Sequence, residues 1–338
     1  MAITLAEMKV GMSDKVAQKV IDSFIRYSQI LELLPFDNCV SPSGGSTLTY
    51  GYMQKKLPST TAFRAINSEY TSSVATMEKK TVDLKVFGGA FEIDRVIKQA
   101  EGMYNNMAFQ LDEKIKSAVG TFHNAMINGD SATDANSFDG LDKFLVGQKT
   151  EFNTGAVIDV STMTNLATNQ EVFYEAIQNL INQTNADALL MNNSVLLKIQ
   201  TLARLLGYKT ESEEAFGRTV TKFGNVRLID LENVATVEST TADSVTTYSA
   251  KETPIISGSI ARTIGATKYT GLTDIYAVHF SIDDGFHGVT LTGNSAISQY
   301  LPDFNSPGAV KKGEVEMVAA VALKNVKSAG VLRNIKIG

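Results

Sequence analysis

The stretch "NAMINGDSATDANSFDGLDKFL", residues 124–145, decides how this chain is divided. It opens as the end of an amphipathic pattern and breaks into a run of small or polar residues, Asn128 to Ser137, before apolar side chains resume at Phe138. Upstream, Tyr104, Met107, Ala108, Leu111, Ile115, Ala118, Val119, Phe122 and Met126 recur at steps of three and four. That spacing puts them on one face of a helix about six turns long. Gly129 is placed to end it.

Further upstream, Val16, Val20, Phe24, Tyr27, Leu31 and Leu34 predict a first helix, with Ser13 or Asp14 as its cap and Pro35 as its stop. Residues 41–87 have no helical period. Leu48, Tyr50 and Tyr52 alternate with Thr47, Thr49 and Gly51, and Val82, Leu84 and Val86 alternate with Thr81, Asp83 and Lys85, which predicts two strands. The polar residues between them cannot build a core of their own. The segment therefore reads as a long two-stranded arm lying across something else.

Downstream the pattern is mixed. Thr168 to Glu171 forms a capping box opening "VFYEAIQNLI", "ADALLMN" predicts a short buried strand, and Asn193 caps "SVLLKIQTLARLL". "GNVRLIDLEN", "TDIYAVHFSI", "GFHGVTLT" and "GEVEMVAAVALKNV" predict further strands. Ser- and Thr-rich residues at 41–47 and 238–248 read as loops or linkers. The predicted class is α+β.

The 338 residues are 43% hydrophobic and 20% charged, an ordinary globular balance with length for a sizeable core. Lys plus Arg is 31 against 36 Asp plus Glu, a net charge of −5, which argues against a sequence-reading nucleic-acid binder. The single Cys39 forms no intrachain disulfide and reads as a buried small hydrophobe. No apolar run is long enough for a membrane span, and the start lacks a secretory pattern. His123, His279 and His287 show no metal-ligand spacing and read as packing or surface residues. There is no P-loop, dinucleotide fingerprint or nucleophile elbow. No catalytic, cofactor-binding or metal residue is expected. Two charge groups stand out: Lys55 and Lys56 in the arm, and Glu92, Asp94 and Arg95 where it meets the long helix. They read as solubilising edge charge or as ion pairs between subunits.

The segments "GGSTLTYGY" (44–52), "FRAINSEY" (63–70), "FGGAFEIDRVI" (87–97) and "FHNAMINGDSATDANSFDGLDKFL" (122–145), in this order, resemble the major capsid proteins of tailed bacteriophages. That shell fold is shared with encapsulins and the floor of herpesvirus capsids. The resemblance is carried by residues 1–145, and by element order beyond them. It implies an N-terminal arm (1–40), an extended hairpin loop (41–86), a peripheral domain with a long spine helix (87–140 and 286–338, its last residues free to rejoin the axial domain) and an axial domain (141–285). The break at 128–137 would then join two packed bodies, with Gly129, Asp130 and Gly140 as the hinge and the glycines in tight turns.

The resemblance also implies a function in assembly and no enzymatic one. Pentamers and hexamers of the subunit would close into an icosahedral head in the host cytoplasm and become part of the virion. Its partners would be other copies of itself, a separate scaffolding protein, a portal protein and packaged double-stranded DNA bound without sequence specificity, with no membrane. Tyr50, Tyr52, Lys55, Lys56, Arg64, Glu92, Asp94 and Arg95 would make the assembly contacts, and Lys55 or Lys56 with Asn325 are the residue types that some relatives use for crosslinks. The alternative of the same fold is an encapsulin-like compartment holding cargo enzymes.

Overall fold

The long amphipathic period is a helix, Asn106–Asn128, in the computed structural model, which describes residues 28–39, 47–99, 106–207, 211–215, 218–242, 245–291 and 297–338. Its stripe is buried as the spacing requires: Leu111, Ile115, Val119, Phe122 and Met126 all belong to one core. Phe122 is fully enclosed, with the Phe87 ring stacked 5.9 Å away and Phe36 and Phe138 also against it.

That core is shared with a five-stranded sheet. The long strand Val310–Leu323 runs through its middle. Lys85–Asp94 pairs antiparallel along one edge, from Val310 opposite Asp94 to Ala319 opposite Lys85. Phe286–Thr290 and Ile297–Tyr300 pair along the other edge, and Phe36–Asn38 adds on parallel to Phe286–Thr290.

A nine-stranded sheet forms the second layer. Its order is Glu151–Phe152, Ala329–Lys336, Thr267–Val278, Ala188–Met191, Val226–Asp230, Arg218–Phe223 and Glu211–Ala215, with Ile158–Asp159 and Ile260–Ile264 pairing beside this path. The C-terminal strand thus lies among strands drawn from residues 151–278. Ala188–Met191 has no polar residue because both faces are covered. Ala188 and Leu190 face the spine-helix core, while Leu189 and Met191 face a second core with Phe173, Ile177 and Leu180 of one helix and Val195, Ile199 and Leu202 of another.

The sequence expectations need several corrections. Asn192, not Asn193, caps the helix Asn193–Leu205, its side chain accepting from the Val195 amide at 3.0 Å. Thr168 caps nothing: it closes the helix Met163–Thr168, which Thr162 caps, and the next helix starts after Asn169 without a side-chain cap. Residues 238–242 and 245–248 fall in a second long hairpin, Asn233–Ala242 against Val245–Pro254, and not in a linker. Thr and Ser suit a solvated strand as well as a loop, so composition misled there.

Residues 13–27 of the expected first helix lie outside the described residues. Its end is a separate short helix, Gln29–Leu33, because Ser28 is extended and caps it, Oγ accepting from the Leu31 amide at 3.0 Å. Ser28 Oγ also lies 2.6 Å from Nε2 of the buried His123 on the spine helix. Burial depresses His123 from the ordinary 6.5 to about 4. A depressed histidine favours the fold while neutral, so its contribution is complete above pH 6.5 and is lost as the pH falls towards 4. We expect His123→Gln to remove about 3 kcal/mol of acid-dependent destabilisation over that window, read from urea midpoints across pH.

Candidate assembly surface

The strands Thr49–Leu57 and Thr76–Asp83 pair antiparallel, from Thr49 opposite Asp83 to Leu57 opposite Thr76. Alternation alone explains the root. Tyr50 and Tyr52 are half-buried against the spine-helix core, while their neighbours Thr49, Gly51 and Met53 face solvent. The Tyr50 hydroxyl donates to Asp37 Oδ2 at 2.6 Å, its ring stands edge-on to His287 at 5.7 Å, and Lys324 Nζ lies 5.6 Å from its centroid. Gln54 Nε2 adds a bond to the Lys324 carbonyl at 3.2 Å. Burial and the Asp37 carboxylate push the Tyr50 phenol far above its usual range.

The outer half has no such support. Residues 58–75 form an irregular tip whose Phe63, Ile66, Tyr70 and Val74 are exposed, Phe63 completely at 107%. Arg64 organises the tip from within: Nη1 donates to the carbonyls of Ala65 and Ser68 at 3.2 Å, and its guanidinium sits 5.2 Å over the Tyr70 ring. Lys55 is exposed opposite Met77, and Lys56 lies 3.7 Å from Glu78 on the paired strand. Lys79 and Lys80 follow at once, so the stem is basic, while the mostly polar tip exposes four large apolar side chains.

Of the other predicted contact residues, Glu92 is exposed opposite Lys312 and Arg95 is exposed at the start of the short helix Arg95–Gln99. Asp94 is half-buried and caps that helix, Oδ1 accepting from the Val96 amide at 2.7 Å. Asn325 Oδ1 accepts from the Lys327 amide at 3.1 Å, which engages it in a local turn.

The break at 128–137 is a folded loop pinned at its neck. The Gly129 amide donates to Ala125 O at 2.9 Å as the helix ends, and the Gly140 amide donates to Gly129 O at 2.8 Å. Neither glycine has positive φ, contrary to the tight-turn expectation. Close approach requires them: a Cβ on Gly129 would lie 2.2 Å from Phe138 O, and one on Gly140 2.6 Å from Ala125 O. Gly129→Ala should therefore cost about 1–3 kcal/mol or more by overpacking, measured as a lowered denaturant midpoint.

Asp130 organises the loop. It accepts from Lys143 Nζ at 2.5 Å and from the Ala132 amide at 3.0 Å, and these donors with the Thr133 hydroxyl hold its carboxyl at about 2. Lys143 also reaches Asp139 at 2.9 Å, and Lys85, where the hairpin meets the sheet, donates to Ala135 O at 2.7 Å. A groove of about 880 Å3 lies between this loop, the end of the spine helix and the hairpin base.

Beyond the loop, the chain is fastened to the nine-stranded sheet by a buried ionic cluster that motif reading missed. Arg333 donates to Asp142 of the following short helix, to Glu151 Oε1 at 2.9 Å and to Asp274 Oδ2 at 2.9 Å. Arg262 clamps both oxygens of Asp274, at 2.6 and 2.5 Å. Tyr276 donates to Asp142 Oδ1 at 2.8 Å. The sequence signal was there: Asp274 and Arg333 are charges inside predominantly apolar stretches, "LTDIYAV" and "VLRNI". Among the described residues there is no cluster of His, Cys, Asp or Glu able to hold a metal, and no helix long and apolar enough to cross a membrane.

No family model and no curated protein matches this sequence. Solved structures do match. The SrpI encapsulin complex from Synechococcus elongatus is similar over 91% of this chain and 87% of its own, with TM-score 0.57 and 12% identity. The capsid of a native GTA particle is similar over 92% and 89%, with TM-score 0.55 and 11% identity. Mycobacterium phage Ogopogo matches over 90% and 91%, with TM-score 0.50 and 12% identity. The likeness therefore runs well past residue 145, where the sequence resemblance had rested on element order.

Proposed function

We propose a shell-forming role, on the premise that the chain has the α+β shell fold shared by tailed-phage capsid proteins and encapsulins. The subunit is a structural protein of a bacteriophage head. It assembles as pentamers and hexamers into an icosahedral shell around double-stranded DNA, by way of a procapsid built on a separate scaffolding protein and a portal. Its formal charge of −5 suits a container that holds DNA without binding it tightly along its length.

The observation that carries this reading is the hairpin tip. Four large apolar side chains are held on a stem too thin to cover them, and an exposed apolar patch of this kind marks a partner surface. A neighbouring copy is the partner that a closed ring supplies. Tyr50 and Tyr52 seat the arm on its own subunit, Arg64 shapes the tip, and Lys55, Lys56, Glu92 and Arg95 are the charges that line up neighbours. Gly129, Asp130 and Gly140 form the neck at which the spine helix hands over to the axial domain.

The similarity to an encapsulin favours one second reading, a compartment holding cargo enzymes. Negative-stain microscopy of particles from expressing cells tests both. Closed polyhedra with nuclease-protected DNA support the phage head, and closed polyhedra filled with a copurifying protein support the compartment. A monodisperse small species, persisting with its scaffolding protein coexpressed, overturns both.

A further inference from the structure

The seat of the hairpin contains a group that assembly alone does not call for. His287 is fully buried; Nδ1 lies 3.3 Å from Gly285 O, and Nε2 has no hydrogen-bond partner. The charged and titratable side chains around it come from every neighbouring segment. Asp37 comes from the strand Phe36–Asn38, Tyr50 from the hairpin, and Lys324 from just past the long central strand, while Cys39 and Tyr52 flank Tyr50 in turn. Asp37 already accepts the Tyr50 hydroxyl, and Lys324 Nζ donates to Ile282 O at 2.6 Å.

This pocket suits a neutral imidazole. One ring nitrogen faces a carbonyl, and the other needs no partner beyond its lone pair. An imidazolium needs a second acceptor, which the pocket lacks, and it would place a second positive charge near Lys324. Burial, then Lys324, hold His287 below its ordinary value. Tyr50 stands edge-on to the imidazole, 5.7 Å between ring centroids, so displacing its ring removes part of the packing that keeps His287 dry.

We propose that the root of the hairpin is a pH-sensitive latch: neutral His287 keeps Tyr50 seated, and protonation of His287 unseats it and frees the hairpin to swing away from the sheet. Seating is complete above the ordinary histidine range and weakens as the pH falls through it. For a group that titrates normally once unseated, moving to about pH 5 raises the share of released hairpin by at most about 30-fold. The latch is a property of one subunit. Its consequence for a shell, arms that let go of their own subunit in acid, rests on the function proposed above.

Hydrogen exchange of the full chain tests it, comparing amides 49–57 and 76–83 at about pH 7.5 and about pH 5 after correction for intrinsic rates, in the wild type and in His287→Phe, which keeps a ring against Tyr50 and cannot be protonated. We expect hairpin protection to fall about 10-fold or more in the wild type and to stay within about twofold in the variant, with the nine-stranded sheet as internal reference. Equal protection at both pH values, or an equal loss in the variant, overturns the latch.

If the variant does not fold, titration of carbon-labelled histidine in the wild type decides. His287 that becomes protonated only as the hairpin opens supports the latch, and His287 protonated above about pH 6 with the hairpin still protected overturns it. Shell formation at neutral pH is scored separately: its failure counts against the assembly reading and leaves the exchange result standing.

Discussion

Joining Leu57 directly to Thr76 through Asn-Gly, with residues 58–75 removed, should yield a folded subunit that forms no closed shells. Leu57 and Thr76 are the last paired residues of the stem, so a two-residue turn fits between them. The shortened arm keeps Tyr50, Tyr52 and Gln54 and thus the whole root. Cutting farther, to residues 47–81, would remove tyrosines that pack on the core and would confuse an assembly defect with a folding defect. Nothing in the tip contributes to either core, so the thermal midpoint should move by no more than a few degrees. The loss is all-or-none because each missing contact recurs at every copy of a closed ring. Normal particles from this variant, seen by electron microscopy, would refute the assignment of the tip as an intersubunit surface.

The second large effect is expected at the buried cluster. Asp274 is 1% exposed and receives three guanidinium contacts, from both arms of Arg262 and from Arg333. Asp274→Ala leaves Arg333, itself only 6% exposed, with one fewer counter-charge in a poorly solvated site. Breaking a buried pair in this way costs about 3–5 kcal/mol, much of it from the charge left behind. Arg262→Ala should cost clearly less, because the Arg262 side chain is 28% exposed and Asp274 keeps Arg333. Urea midpoints for the two variants provide the check, and equal losses would show that the pair is not the seat of the effect. The cluster also joins Asp142 and Glu151, just past the Gly129–Gly140 neck, to the C-terminal strand. A weakened cluster should therefore loosen the 141–151 segment before either core, which hydrogen exchange would resolve.

The elements legible in advance were those whose pattern is local. The spine helix showed as a three-and-four period and ends beside Gly129, and the hairpin strands showed as alternation around Tyr50 and Val82, although the run read as one strand over 81–86 is divided at Leu84 between Thr76–Asp83 and Lys85–Asp94, with Val86 exposed. The break at 128–137 was visible because small polar residues interrupt two apolar runs. Where two local rules compete, the reading slipped. Asn192 and Asn193 are equally good caps on paper, and only the position of Val195 selects between them. The Ser and Thr of 238–248 fit a linker or a solvated strand, and the local pairing from Glu238 with Ser249 to Ala242 with Val245 makes 238–242 and 245–248 two arms of a hairpin.

The sequence by itself determined the periods, the polar neck, the long polar arm with its lysines, and the lack of any catalytic or metal-binding motif. Each of these follows from side chains a few residues apart, where backbone geometry dictates which of them share a face. Only the tertiary structure brought His287, Lys324 and Asp37 around Tyr50, joined Arg333 to Asp142, Glu151 and Asp274, and set Gly129 against the Phe138 carbonyl. The physical reason is chain closure. These groups lie far apart in sequence, so their meeting is set by how the two sheets and the spine helix bury their apolar faces together, and no spacing along the chain encodes it.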